Sequence, residues 1–193
     1  MITKIEEVLE YVEYLKTAPP YEINEHLATF QRLGAECKTI AEFGVGIGTS
    51  TWAFLSTNPT RMRSYDIIEF PQINSIKETA TAMEWDWQLT IQDTTVPGFH
   101  IEPCDLLFID ALHTGEAVEA ELRQNHQYVG KYIIFHDIEK YGEHGQDERG
   151  EVTPGIRGIN GAINEFLTAH PEWLEVERYK NNNGLLVIKK VSE

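Results

Sequence analysis

Cysteine is scarce: Cys37 and Cys104 are the two in 193 residues. No disulfide framework and no zinc-type spacing can be built from such a pair. Basic residues are also few, 16 Lys and Arg against 31 Asp and Glu, a formal net charge of −15. Nucleic-acid binding draws largely on Lys and Arg neutralising phosphates. With no dense basic patch, nucleic acid and an anionic membrane are excluded as main partners. No apolar run approaches the ~20 residues of a membrane-spanning helix. The opening MITKIEEVLEYVEYL is acidic and amphipathic, unlike a signal peptide. No internal repeat or low-complexity tract is present. These absences lead to the expectation of a soluble, cytoplasmic protein.

The apolar fraction, 41%, suffices for a sizeable core, and the length suits one main folding unit. Ile5, Val8, Leu9, Val12 and Leu15 recur at helical spacing over 2–16. Pro19 and Pro20 break that helix. Ile23, Leu27, Phe30 and Leu33 predict a second helix from Glu22 to Leu33, ended by Gly34. Residues 1–36 are therefore expected to form a helical cap that covers a ligand cleft, forms a homodimer contact or pads the sheet. Residues 37–193 read as the ligand-binding unit.

Strands are expected at 39–43, 62–67, 87–91, 105–109 and 131–135, with helices at 49–56, 71–83, 115–129 and 155–169. The run Leu106-Leu107-Phe108-Ile109 suits a strand buried on both faces. Residues 138–154 are polar, hold three glycines and show no apolar period, which predicts a long loop beside the site. Two last strands, 174–179 and 185–190, flank an Asn-Gly turn. The alternation predicts a doubly wound, Rossmann-like α/β sheet of about seven strands, closed by an antiparallel hairpin.

The densest signal is AEFGVGIGTST, residues 41–51. It reads as a strand end, a turn with Gly44, Gly46 and Gly48, and a helix start capped by Thr49 or Ser50. Dinucleotide folds favour G-x-G-x-x-G; here the spacing is G-x-G-x-G, with Glu42 two before the first glycine. Polar residues close each strand in turn: Asp66, Asp93, Asp110, then His136-Asp137. In open α/β sheets that edge is where ligands bind. Any single acid there also suits a turn or a cap.

The glycine turn resembles motif I of class I S-adenosylmethionine (SAM) methyltransferases. CDLLFIDALHTGEAVEAEL and YIIFHD, at 104–122 and 132–137, look like the macrocin- and catechol-type small-molecule O-methyltransferases. The resemblance covers roughly 37–190. It implies SAM bound by Glu42, Gly44, Gly46, Gly48, Ser50, Asp66, Asp93 and Asp110, with Asp66 at the ribose, Asp93 at the adenine, and Glu42 and Gly44 at the amino-acid end. Glu69 competes with Asp66 for its role. It also implies a divalent cation, Mg²⁺ or Mn²⁺, on Asp110 and Asp137. His113 stands where the catechol type has a lysine, and His136 where a carboxylate is expected. A histidine ligand would favour Mn²⁺, Fe²⁺ or Zn²⁺ over Mg²⁺; a site without metal is the third reading.

The implied reaction is methyl transfer to a hydroxyl, less readily an amine, of a sugar or natural product. Asp110 and His136 would flank the chemistry. His113 is the expected general base, because imidazole titrates near neutrality; His136 and Lys140 are runners-up. Tyr141 and His144 are candidate lid or substrate contacts. Two other classes remain: a SAM-fold binding or accessory protein without catalysis, and an NAD-dependent oxidoreductase.

Overall fold

A computed structural model describes residues 2–19, 21 and 23–191. Its centre is a seven-stranded sheet in the order β3-β2-β1-β4-β5-β9-β8. The strands are β1 (Thr39–Phe43), β2 (Arg61–Asp66), β3 (Trp87–Ile91), β4 (Cys104–Ile109), β5 (Val129–His136), β8 (Trp173–Tyr179) and β9 (Leu185–Lys190). β1 to β5 are mutually parallel, while β9 runs antiparallel between β5 and β8. β6 (His144–Gln146) and β7 (Val152–Arg157) form a separate hairpin.

The period of two along the strands divides the core. Ile40, Leu106 and Phe108 face one side, where α1 (Ile5–Thr17), α2 (Leu27–Gly34), α3 (Thr49–Leu55) and α4 (Ile73–Ala82) pack. Ala41, Phe43, Leu107 and Ile109 face the other, under α5 (Gly115–Asn125) and α6 (Ile159–Ala169). Val8, Val12, Phe30 and Leu33 share the first cluster with the sheet. The N-terminal helices are thus built into the core, and Ile23 between them reaches the cleft.

Several boundaries differ from the sequence expectation. The second helix begins at Leu27, after a 3-10 turn over Asn24–His26; its expected start, position 22, lies outside the described residues. Helix α5 stops at Asn125, and His126–Tyr128 tighten into a 3-10 turn. The largest correction concerns 138–157. The stretch expected as a bare loop forms β6 and β7, and Gly155–Arg157 belong to β7 rather than to α6. β6 is only three residues long and pairs with β7 alone, outside the main sheet, so the segment carries no hydrophobic period. Neither Thr49 nor Ser50 caps α3: Gly48 occupies that position at φ 91, without a side-chain cap.

Candidate active site

The parallel ladder continues one residue beyond the strands. The amide of Gly44 donates to Tyr65 O (2.8 Å), that of Asp110 to Phe43 O (2.8 Å) and that of Gln92 to Asp66 O (2.7 Å). This brings the predicted strand-end residues to one edge. Gly44 sits at φ 82, and a Cβ there would collide with the carbonyl of Asp110. Only glycine lets β1 and β4 approach so closely before diverging. Gly46, at φ 52, would point a Cβ into open space. Gly48 instead packs against Ile73 and Ile76 and lines no part of the cleft.

Asp66 holds the glycine turn directly. Its Oδ2 accepts from the amides of Val45 (2.8 Å) and Gly46 (3.0 Å), and Oδ1 accepts from Ile68 (3.1 Å). Glu42 lies beneath the turn, fully buried. Its carboxylate accepts from Ser50 Oγ (2.6 Å), Thr51 Oγ1 (2.8 Å) and Ser64 Oγ (2.7 Å). Burial pushes it up to about 7, against those hydroxyls, which pull it down. In this structure Glu42 is a strut fixing α3 to β1 and β2, and it does not line the cleft. Glu69 is exposed and pairs with Lys77 at 2.6 Å, away from the glycine turn.

Two cavities meet at Gly44, Gly46, Asp110 and Gln146. One, about 260 Å³, runs from the glycine turn past Asp66 to Asp93 and Thr94. Asp93 is exposed at its far wall, accepting from the Thr95 amide and hydroxyl. The other, about 280 Å³, is walled by Ser50, His113, His136, Asp137 and Tyr141. Either alone falls below the ~300–1,000 Å³ usual for a small-molecule site, and together they fall within it. Lys140 also lines the second cavity, 4.7 Å over the Tyr141 ring. His144 lines neither.

His113 is the junction of the second cavity. Nε2 lies 2.9 Å from Asp137 Oδ2 and 3.1 Å from Asp110 Oδ1, and Nδ1 lies 2.6 Å from Gln146 Oε1. All three partners are acceptors, so both ring nitrogens carry protons. Burial pulls His113 down, but the bonds to Asp110 and Asp137 outweigh it and hold it well above its ordinary range. His136 is arranged likewise, with Nδ1 3.1 Å from Asp110 Oδ1 and Nε2 2.9 Å from Asn182 O. Burial lowers it and Asp110 more than restores it, so it too is raised. Burial would lift Asp110; His136 and His113 overcome this and hold it well below the carboxylate range.

Asp137 is 94% buried and held at φ 62, an uncommon backbone for a side chain. Its Oδ1 has no hydrogen-bond partner and stands 3.8 Å from His136 Nδ1. One ligand atom each from Asp110, His113 and Asp137 lies within 4.8 Å of the others. The orphaned oxygen and this mixed oxygen and nitrogen set fit a divalent cation.

Sequence reasoning missed Gln146 and the asparagine turn. Gln146 lines both cavities, and its amide also donates to His113 O (3.0 Å). Asn183 lines the second cavity, and its carbonyl accepts from the amides of Glu139 and Lys140. A local pattern held no signal for either, since both reach the site through long-range contacts.

No protein-family model and no curated protein matches the sequence. Solved structures do match in fold. An O-methyltransferase of Bacillus cereus in complex with S-adenosylhomocysteine superposes with a TM-score of 0.64 at 16% identity, covering 99% of this chain and 92% of that one. A methyltransferase of Podospora anserina, also bound to S-adenosylhomocysteine, gives 0.59 at 16%, over 100% and 89%. An N-methyltransferase of Bradyrhizobium japonicum in complex with the same product gives 0.55 at 14%, over 96% and 99%. With the antiparallel β9 set between β5 and β8, the glycine turn after β1 and a carboxylate at the end of β2, the chain has the class I SAM-dependent methyltransferase fold.

Proposed function

We propose that the protein transfers a methyl group from SAM to a hydroxyl of a small molecule. The observation that carries this reading is the pair of cavities joined at Gly44 and Asp110. One suits a nucleoside stretched from Gly46 to Asp93; the other presents charged groups to an acceptor. Bound SAM would supply an electrophilic methyl on a sulfonium. The acceptor oxygen forms the new C–O bond, and the C–S electron pair leaves with sulfur. The chain's part is chiefly alignment of the two partners.

His113 is the proposed base, and Asp110, shared with His136, orients it. A doubly protonated imidazolium cannot accept the acceptor's proton. A divalent ion held by Asp110 and Asp137 would repel that proton, free Nε2, and lower the acceptor hydroxyl's pKa. Oxygen ligands from Asp110 and Asp137 suit Mg²⁺ or Mn²⁺. Buried, unpaired Cys37 and Cys104 accord with a reducing, cytoplasmic setting, and no helix among the described residues is long and apolar enough to cross a membrane.

The test is isothermal titration with SAM and S-adenosylhomocysteine, followed by radiolabelled methyl transfer to a panel of small hydroxyl compounds. Micromolar binding with transfer to at least one hydroxyl is expected. Binding without transfer to any hydroxyl or amine would leave an accessory protein. NAD binding in place of SAM would replace the reading outright.

A further inference from the structure

At the opposite end of the sheet from the cleft, α5 and α6 pack side by side and end in histidines. His126 is the C-terminal cap of α5, and His170 that of α6. Both helices return from the cleft edge, so their carboxyl ends meet at the far pole. Eleven residues of helix span about 16 Å, which separates this place from Asp110.

The two imidazole rings lie 4.3 Å apart between centroids. Glu172, two residues beyond His170, brings Oε1 to 3.2 Å from His170 Nδ1. One ligand atom from each of His126, His170 and Glu172 lies within 4.8 Å of the other two. We propose that these three residues form a second metal site, which takes Zn²⁺ or a similar transition-metal dication.

Three features support this assignment. First, the chemistry is apt: two imidazoles and a carboxylate are a common zinc donor set, and they leave a fourth position for water. Second, His126 Nδ1 is 2.8 Å from Leu122 O, to which it donates. That bond fixes the tautomer and leaves the Nε2 lone pair for the metal, as ligating histidines are usually held. Third, the negative ends of two helix dipoles converge on the site, which favours a cation there. Two atoms bound to one zinc at ~2.1 Å are at most about 4.2 Å apart. The three half-buried side chains need only close by some tenths of an ångström to reach that.

An open, half-apolar groove lined by Leu122, Ala162 and Phe166 adjoins the histidines. The fourth position therefore remains reachable by water or a partner side chain. A bound ion would tie the ends of both helices to the start of β8, since the Trp173 amide donates to His170 O (3.0 Å). The expected role is a structural clip on the sheet's second layer, independent of the cleft.

The test uses the full chain, stripped with chelator, carrying Asp110→Asn and Asp137→Asn so that the cleft cannot bind metal. Zn²⁺ is titrated calorimetrically and melting curves are recorded. Co²⁺ is titrated in parallel, its visible spectrum reporting nitrogen and oxygen coordination. One equivalent of Zn²⁺ and a raised melting temperature are expected. His126→Gln, His170→Gln and Glu172→Gln should each weaken binding at least tenfold and abolish the thermal shift. Glu172 is partly exposed, so its variant tests the site with little risk to folding. Should the cleft variant fail to fold, the same substitutions are read in the wild type as loss of one of two equivalents. Zn²⁺ affinity unchanged by Glu172→Gln and His126→Gln, or no binding once the cleft is silenced, would overturn the proposal.

Discussion

The ring of His113 lies flat on that of Tyr141, with centroids 4.8 Å apart and planes 12° from parallel. Tyr141 in turn donates its hydroxyl to Gly150 O. The 138–157 segment is therefore fastened to the proposed base. Such a ring pair is worth about 0.5–1.5 kcal/mol. Tyr141→Ala should slow methyl transfer about two- to tenfold with SAM affinity unchanged, while Tyr141→Phe should retain most of the rate. Single-turnover kinetics on the pair of variants measures this. Equal loss in both would place the effect in the hydroxyl's bond to the loop instead.

Removing the base itself is the stronger test. A general base contributes about 10²–10⁴-fold. His113→Ala should lower the transfer rate by that factor and leave SAM affinity within about threefold. Normal turnover beside a lowered melting temperature would make His113 a packing residue between Asp110, Asp137 and Tyr141.

Asp66 has two tasks that one substitution removes together: it braces the Val45 and Gly46 amides and walls the first cavity. Asp66→Ala should weaken SAM binding by about 1.5–3 kcal/mol, the scale of charge-assisted hydrogen bonds. Calorimetric titration decides. An unchanged dissociation constant would show that the turn holds its shape, and the ligand its place, without the carboxylate.

If a divalent ion serves the cleft, chelation should lower activity and added Mn²⁺ should restore it. The acid limb of the rate profile should also move to lower pH with metal, because the ion expels the proton that Asp110 and Asp137 otherwise stabilise on His113. Activity indifferent to chelator, with Asp110→Asn and Asp137→Asn both active, would dispose of the metal.

Glu121, fully buried on α5, accepts from Thr94 Oγ1 through Oε1, while Oε2 has no partner. Burial pushes its carboxyl up to about 7 against the pull of that bond. A folded-state value above the unfolded one means the folded form holds its proton longer. Stability is then fully present below about 4.5 and is lost as pH rises towards 7, by on the order of 3 kcal/mol. Glu121→Gln should flatten this fall, so the variant outlasts wild type in urea at pH 8 and gains nothing at pH 4. Parallel curves for the two proteins across that range would refute it.

The strand-end residues were legible because each closes an expected strand, and a parallel sheet gathers such ends at one edge. That is how Asp66, Asp110, His113 and Asp137 could be named together. Glu42 misled for a related reason. An acid beside a glycine turn reads as facing the ligand, yet it lies two residues after Ile40, on the α3 side of β1. The hydroxyls of Ser50, Thr51 and Ser64 were the available signal, visible only once β1 was paired with β2. Gln146 and Asn183 were illegible, since they reach the cleft by contacts that no local period encodes. The β6–β7 hairpin was missed because β6, His-Gly-Gln, is too short and polar to show a strand period.

The position of β9 has a consequence for synthesis. β5 and β8 are both made before β9, so β8 has no sheet neighbour and β5 has only β4 until residues 185–190 arrive between them. During vectorial translation β5 must wait with an open edge, next to the half of the cleft that it supplies through His136 and Asp137. Unpaired strand edges invite association with other chains. A growing chain stalled before residue 185 should therefore be captured by chaperones, whereas one extended past Lys190 should escape them.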